Sequence, residues 1–207
     1  MLIAGVFLLA FGFKSLKQIK RKHYKYIVYT ALLGTFFPVF LFAFAVNGID
    51  SSIASILNSL TPFNTFIFGV LAFGLKFKKE QLLGIVIGLI GTIVLIVKGA
   101  DLNPNQNYWF TLLVVIASIG YALNVNLVKK HLSDVSALSI VTGNFLLLVI
   151  PAFIVLYFSD FFETVEFTEA KTSALCYVAV LAIFGTGIAK VFYNKWCIWH
   201  HQFLLLQ

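Results

Sequence analysis

Two apolar stretches separated by a short basic segment constrain this chain more than any other feature of its sequence. The first is SSIASILNSLTPFNTFIFGVLAFGL (51–75) and the second is LLGIVIGLIGTIVLIVKG (82–99), with KFKKEQ between them. A helix of about 21 residues rises about 31 Å, which is enough to cross the ~30 Å hydrocarbon core of a bilayer. Lipid offers the backbone no hydrogen-bond partners except its own, so we expect both stretches to be transmembrane helices.

The composition of the whole chain agrees with a membrane protein. Hydrophobic residues make up 60% of the sequence, charged residues only 11%, and the mean hydropathy is +0.96, whereas soluble domains carry roughly 25% charged residues. The net charge of +7 lies in the gaps between apolar runs, which is typical of membrane topology. A nucleic-acid partner is therefore not expected.

Six apolar segments of helix length follow a shorter one at the N-terminus. None of them alternates with period two, so a β-barrel is a poor match. The first 13 residues are interpreted as half of a span, because the basic residues follow this run and no cleavage site for a signal peptide appears. The sequence predicts an all-α, polytopic bundle with a partial N-terminal span and six full spans, at Tyr26–Val46, Ser52–Leu75, Leu82–Val97, Tyr108–Val128, Val135–Phe158 and Ser173–Tyr193.

The basic residues predict the orientation of these spans. Of the 15 Lys and Arg residues, 13 fall in alternate gaps, and only Lys98 and Lys171 fall in the others. Basic loops stay in the cytoplasm. We therefore expect a multi-pass protein of the cell membrane with its basic loops cytoplasmic and the lipid bilayer as its main partner.

Two short motifs repeat across the chain. Gly34-Thr35 in the second apolar segment has a counterpart in Gly185-Thr186 of the last one, at an offset of 151 residues. The predicted topology makes the two segments run in opposite directions. Inverted repeats are the architecture of many secondary transporters, in which the substrate site lies near the midplane between the repeats.

The opening stretch resembles the end of an EamA repeat, the family typical of the drug/metabolite transporter superfamily. The similarity rests on the Ser/Ala-rich entry Ser51–Ser55, the turn Ser59–Pro62, the basic break and the G-x-x-x-G-x-x-G pattern that begins at Gly84; Phe184–Lys195 is similar to the corresponding helix of a second repeat. The resemblance implies a transporter that moves a small organic metabolite across the cytoplasmic (inner) membrane by alternating access. It also implies two domains: residues 1–99 as a first repeat lacking its first span and part of its second, and residues 106–207 as a second repeat lacking its last two spans.

Some features depart from the family pattern. The family usually places a glutamate after the glycine at the cytoplasmic break, where this chain has Gly74-Leu75-Lys76-Phe77, and the tail Trp196–Gln207 is unlike the family. The alternative is therefore a truncated, transport-incompetent remnant of such a transporter.

Polar residues inside the apolar segments are the candidates for a substrate cavity. Asn58, Thr61 and Thr65 share one helical face, and Pro62 beside them frees a backbone carbonyl. Packing between helices is the competing interpretation, because Ser, Thr and Asn commonly bond across transmembrane helices. Lys190 lies within its segment, where a cation faces a cavity or reaches to the interface; if functional, it would attract an anionic group of the substrate. The other cavity candidates are Tyr121, Asn124, Thr142, Asn144 and Thr186.

Gly84, Gly88 and Gly91 form a smooth helical stripe. Such a stripe favours close helix packing, within the chain or between two copies, so homodimerisation is left open.

The sequence offers no catalytic constellation. Zinc needs three or four ligands, and the four histidines and two cysteines are not spaced in the sequence to provide them. No acidic residue lies inside an apolar run, which argues against a membrane-embedded enzyme and against a carboxylate proton relay. We expect no enzyme activity, no metal and no cofactor, and a small-molecule substrate of unknown identity.

Overall fold

The fold is seen in a computed structural model, which describes residues 1–75, 79–102, 107–159, 161 and 169–205. Within these ranges the regular structure is helical throughout and contains no strand. The predicted all-α fold is confirmed. The ten α-helices, numbered here in chain order, are α1 (Leu2–Gly12), α2 (Tyr24–Ala31), α3 (Phe37–Ala45), α4 (Ser51–Asn58), α5 (Thr61–Leu71), α6 (Lys79–Leu102), α7 (Thr111–His131), α8 (Ala137–Tyr157), α9 (Glu169–Val180) and α10 (Ala189–Leu205).

Shorter helical turns join several of these elements. Two 3₁₀ turns, Phe13–Gln18 and Arg21–His23, link α1 to α2, and a third, Tyr108–Phe110, precedes α7. Two wide π-helical segments continue the helices on either side of them: Leu32–Phe36 joins α2 to α3, and Leu181–Ile188 joins α9 to α10.

Five helical stretches of the described chain are long and apolar enough to cross a membrane. They are Arg21–Ala45, Ser51–Leu71, Thr111–His131, Ala137–Tyr157 and Lys171–Trp199. Large apolar side chains along them point outward, such as Ile150 at 68% exposure, which is the reverse of a water-soluble protein. The chain is a multi-pass membrane protein. Helix α6 extends beyond the predicted apolar run at both ends and is 24 residues long, but the predicted total of six full spans plus a partial one stays a prediction.

The predicted segment 52–75 is interrupted. Helix α4 ends at Asn58, and α5 begins at Thr61. At the break, the backbone N–H groups of Ser59 and Leu60 donate to carbonyls only three residues back, at 3.0 and 3.1 Å. Ser59 and Leu60 keep backbone angles of the α region, so the segment is one span with a local 3₁₀-type break just before Pro62.

The backbone divides into two compact units. Unit 1 comprises residues 1–31 and 131–207, and unit 2 comprises residues 32–130. The predicted repeats, residues 1–99 and 106–207, are defined by sequence similarity and not by compactness, and these boundaries stay a prediction.

Unit 1 is built around α8, which packs against α1, α2 and α10. Its core contains Ala4, Leu8, Val141 and Phe145. A Cβ added at Gly5 would lie only 2.6 Å from the Val149 side chain. Small residues on α1 thus allow the close helix approach that is usual in membranes.

Unit 2 packs α6 against both α4 and α5. Its core lies along α4, where Ile53, Ala54 and Leu57 meet Ala45 and Val114. This arrangement places the interruption after Asn58 beside α6 and α7, whose polar side chains reach it.

Candidate substrate site

The break between α4 and α5 brings together four of the predicted cavity residues. Pro62 has no backbone N–H and therefore cannot donate to the carbonyl of Asn58, four residues earlier. The Thr61 hydroxyl donates to that carbonyl at 2.7 Å and lies 3.2 Å from the Asn58 side-chain oxygen. Thr65 Oγ1 in turn donates to the Thr61 carbonyl at 2.7 Å. The hydroxyl groups of the site therefore stabilise the broken helix in addition to forming a polar patch.

Helix α6 is bonded to the same break. Ser59 Oγ and Thr92 Oγ1 lie 2.7 Å apart, and Thr92 is only 4% exposed. Each hydroxyl also reaches a carbonyl of its own helix. The sequence analysis missed Thr92, although it is the only polar side chain in the run 82–97 and could have been found by that signal.

Three further residues missed by the sequence analysis join α5 to α7. Asn64 Nδ2 donates to Ser118 Oγ at 2.8 Å, and Asn126 Nδ2 donates to the Thr65 carbonyl at 3.0 Å. Asn126 is fully buried, and its Oδ1 has no hydrogen-bond partner within the described residues. An unpaired amide oxygen in an apolar interior costs free energy.

Tyr121 and Asn124 of α7 lie against the first wide turn. A Cβ built on Gly34 would fall 2.3 Å from the Asn124 side chain, so only glycine allows this approach. The Tyr121 ring packs at 6.2 Å, centroid to centroid, from Phe42 of α3. Both residues thus lie in unit 2 together with the break in the helix.

In unit 1, Thr142 and Asn144 of α8 are buried in helix contacts. Thr142 is in contact with Gly12 of α1, where an added Cβ would lie 2.1 Å from the Thr142 hydroxyl. With its amide nitrogen directed toward them, Asn144 donates to Thr30 Oγ1 and to the carbonyls of Ile27 and Ile140 at 3.0–3.2 Å. These contacts assign both side chains a packing role, and their role in a cavity stays a prediction.

Thr186 and Lys190 lie at the second wide turn. Thr186 is inside the π-helical segment Leu181–Ile188, and Lys190 follows at the start of α10. The Lys190 ammonium lies 5.8 Å from the centre of the Phe145 ring, close enough for a cation–π interaction.

The two Gly-Thr motifs occupy the same kind of backbone. Gly34-Thr35 lies in the π-helical segment Leu32–Phe36, and Gly185-Thr186 lies in Leu181–Ile188. π-Helical turns are rare and occur frequently at functional sites. The repeat noticed in the sequence is therefore matched by a shared and uncommon local structure.

The candidate residues are divided between the units. Unit 2 holds Asn58, Thr61, Pro62, Thr65, Tyr121 and Asn124, whereas unit 1 holds Thr142, Asn144, Thr186 and Lys190. A single cavity formed by both sets stays a prediction. Within the described ranges, no group of three or more His, Cys, Asp and Glu side chains is placed to hold a metal ion.

The glycine stripe of α6 faces outward. A Cβ added at Gly84, Gly88 or Gly91 would meet nothing within 4 Å in the described part of the chain. Packing of the stripe against a second copy stays a prediction.

Comparison with known proteins adds one match. Residues 1–97 match the model of the EamA-like transporter family. The EamA match begins in α1, includes the broken helix α4–α5 and ends in the glycine-bearing helix α6. The comparisons with curated proteins and with solved structures give no match. The similarity of Phe184–Lys195 to a second EamA repeat lies outside the matched residues and stays a prediction.

Proposed function

We propose that this EamA-type protein moves a small organic metabolite across the cytoplasmic membrane by alternating access. The observation that carries the proposal is the cluster of polar groups at the break between α4 and α5, inside the EamA-matched region. Many transporters place their substrate sites near the midplane, where interrupted helices present polar groups.

The groups around the break can recognise a polar ligand. Asn58 contributes an amide, Ser59 and Thr61 contribute hydroxyls, and Asn126 contributes a buried oxygen without a partner among the described residues. Most of these hydroxyls already donate hydrogen bonds to carbonyls of their own helix, so a bound ligand would replace those bonds with bonds of its own. Small neutral or zwitterionic metabolites, which carry several donors and acceptors, suit such a site.

The second half is proposed as the inverted partner of the first. The matching π-helical turns at Gly34-Thr35 and Gly185-Thr186 support this pairing. Lys190, which follows the second turn, would attract an anionic group of the substrate. An ammonium in a membrane span is costly unless it faces a partner or a cavity.

The contacts at the helix ends support cytoplasmic basic loops. Lys22 and His23, at the start of α2, contact Asp134 of the loop between α7 and α8. In unit 2, Lys130 Nζ donates to the Phe73 carbonyl just beyond α5, at 2.6 Å. In each unit, neighbouring basic segments thus lie at the same helix ends, as the positive-inside rule requires.

Counterflow in liposomes tests the proposed transport. Proteoliposomes carrying the full chain would be loaded in turn with amino acids, nucleosides, amines and organic acids, and exchange of the labelled compound would be followed. We expect Asn58→Ala to slow exchange of the transported compound. We expect Lys190→Ala to slow it most for anionic compounds. Ser55→Ala is the matched control, because Ser55 is exposed and donates only to its own helix at Ser51.

Two results would contradict the proposal. Unchanged exchange in both variants would show that Asn58 serves helix packing and that Lys190 only extends to the membrane interface. Absence of exchange for every compound class, in protein shown to be folded and inserted, would favour the alternative of a transport-incompetent remnant.

A further inference from the structure

An apolar groove opens on the outer face of unit 1. It lies between the first 3₁₀ turn, α2 and α8, has a volume of about 200 Å³, and is lined by Leu16, Ile19, Ile27, Val28, Leu146 and Leu147. Pockets for drug-sized ligands measure roughly 300–1,000 Å³. The groove is therefore too small and too apolar for a polar metabolite, but it suits a length of hydrocarbon chain.

Gly143 forms the floor of the groove. A Cβ at this position would lie 3.0 Å from Ile19 Cδ1 and 3.2 Å from Ile27 Cγ2. The glycine thus lets the three elements approach while leaving the groove open above them. Val28, Leu146 and Leu147 are 39–44% exposed, so their side chains face whatever surrounds the protein at this level.

The groove extends along the helices over the depth of one lipid leaflet, about half of the ~30 Å hydrocarbon core. Gly143–Leu147 lie about 9–15 Å from the start of α8, at 1.5 Å per residue, and Ile27 and Val28 lie in the first turns of α2. Tyr24, at the rim, is 58% exposed. Tyrosine is enriched at this depth, where lipid headgroups meet the acyl chains.

The segment that contributes Leu16 and Ile19 to the groove also carries basic residues. Lys17 follows the lining residue Leu16, and Lys20 and Arg21 follow Ile19. All three are exposed, and in the described part of the chain none of them forms an ion pair, whereas Lys22 is paired with Asp134. Basic clusters between helices at the cytoplasmic surface bind anionic lipid headgroups.

We propose that the groove binds one acyl chain of an anionic phospholipid of the cytoplasmic leaflet, whose phosphate is held by Lys17, Lys20 and Arg21. The charged rim and the apolar groove are adjacent, so one molecule satisfies both. A zwitterionic lipid fits the groove but lacks the net negative charge that the rim selects. This lipid site is separate from the proposed transport site.

Native mass spectrometry of the purified full chain tests the proposal. Phosphatidylglycerol and phosphatidylcholine with identical acyl chains would be titrated in parallel. We expect phosphatidylglycerol to be retained preferentially, and the double variant Lys17→Gln/Lys20→Gln to weaken its binding by roughly tenfold to thirtyfold. Lys129→Gln/Lys195→Gln is the matched control for net charge and should leave binding unchanged.

A second pair of variants separates the groove from general charge attraction. Leu147→Trp fills the groove, whereas Ile150→Trp places the same side chain on an exposed part of the same helix, 68% exposed in the native chain. We expect only Leu147→Trp to weaken phosphatidylglycerol binding. Val28→Trp serves the same purpose if Leu147→Trp does not fold.

Two outcomes would overturn the proposal. Equal retention of the two lipids would show that the basic residues beside the groove do not select an anionic headgroup. Loss of binding in the lysine variant, with full binding in the groove-filling variants, would reduce the site to a charged surface without a bound chain.

Discussion

Ser59 Oγ and Thr92 Oγ1 lie 2.7 Å apart and bond the interrupted helix α4–α5 to the glycine-bearing helix α6. The contact is between two hydroxyl groups, each of which also lies within hydrogen-bond distance of a carbonyl of its own helix, Ile56 for Ser59 and Gly88 for Thr92. It fixes the position of the break relative to α6. The break can then present Asn58 and Thr61 in one arrangement.

Removal of the Thr92 hydroxyl should loosen this junction. We expect Thr92→Val to lower the free energy of unfolding by about 0.6–1 kcal/mol, the usual contribution of a hydrogen bond between membrane helices. Denaturant titration in detergent micelles would measure the loss. Thr92→Ser keeps the hydroxyl and should retain most of the stability. A loss in Thr92→Ser with none in Thr92→Val, which keeps the methyl group, would show that packing of the methyl group, and not the hydrogen bond, matters.

A methyl group at Gly34 should be far more costly than one at Gly88. At Gly34 an added Cβ overlaps the Asn124 side chain at 2.3 Å, whereas at Gly88 it meets nothing within 4 Å. We expect Gly34→Ala to destabilise the protein by about 1–3 kcal/mol. The same change at Gly88 should be neutral or slightly stabilising, because alanine favours the helix. Thermal unfolding of the two variants, with Gly34→Ala/Asn124→Ala as the rescue, would test this; similar melting temperatures for both single variants would contradict the close contact.

The outward glycine stripe predicts pairing between two copies of the chain. We expect Gly84→Leu/Gly88→Leu to reduce the cross-linked dimer in membranes, because the added side chains keep the helix backbones apart. The melting temperature of the isolated chain should change little, since a Cβ added at either position meets nothing within 4 Å in the described part of the same chain. Ile87→Leu, on the same helix, is the control. An undiminished dimer in the double variant would assign the stripe to lipid contact.

Asp134 predicts a pH-dependent contribution to stability. The Lys22 ammonium donates a hydrogen bond to this carboxylate at 2.7 Å and lowers the pKa of Asp134 below its ordinary value. A lowered pKa in the folded state stabilises the protein above the unfolded pKa, near 3.9, and that contribution is lost as the pH falls through the folded pKa.

Melting temperatures from about pH 6 down to about pH 2 would test this contribution, because that window begins above the ordinary carboxyl pKa and extends well below it, toward the lowered pKa of the folded state. We expect Asp134→Asn to be less stable than the native chain at pH 6 and to converge with it in acid. The difference should be no more than about 1 kcal/mol and should shrink in salt, since the pair is exposed. Glu80→Gln is the control; a difference that persists at the acid end would contradict the assignment to this carboxyl.

The geometry of His23 also fixes the proton on its ring. The backbone N–H of Lys20 donates to His23 Nδ1 at 3.2 Å, so Nδ1 carries no hydrogen. The proton is then on Nε2, which lies 3.2 Å from the Asp134 carboxylate and donates to it. A nearly buried imidazole and an ammonium therefore share one carboxylate at the end of α2.

The helices were predictable because a bilayer leaves an apolar run no other way to satisfy its backbone. The polar contacts were not, because Asn64 and Ser118 are 54 residues apart, and only the fold shows that they meet. The π-helical turns could not be predicted from the sequence either. Thr186 lies in a π-helical segment, where the period is longer than in an α-helix, so α-helical spacing does not give the helical face that it shares with residues such as Lys190.

The wide turn at Leu32–Phe36 has a consequence for how this helix tolerates changes in length. A π-helical turn holds about one residue more than an α-helical turn, as a single-residue insertion would produce. Deleting that residue restores a regular helix but rotates everything beyond it by about 100°, the angle of one α-helical residue. If a related sequence lacks one residue at this position, the span keeps its length. What changes is the direction in which the side chains beyond the turn point around the helix axis.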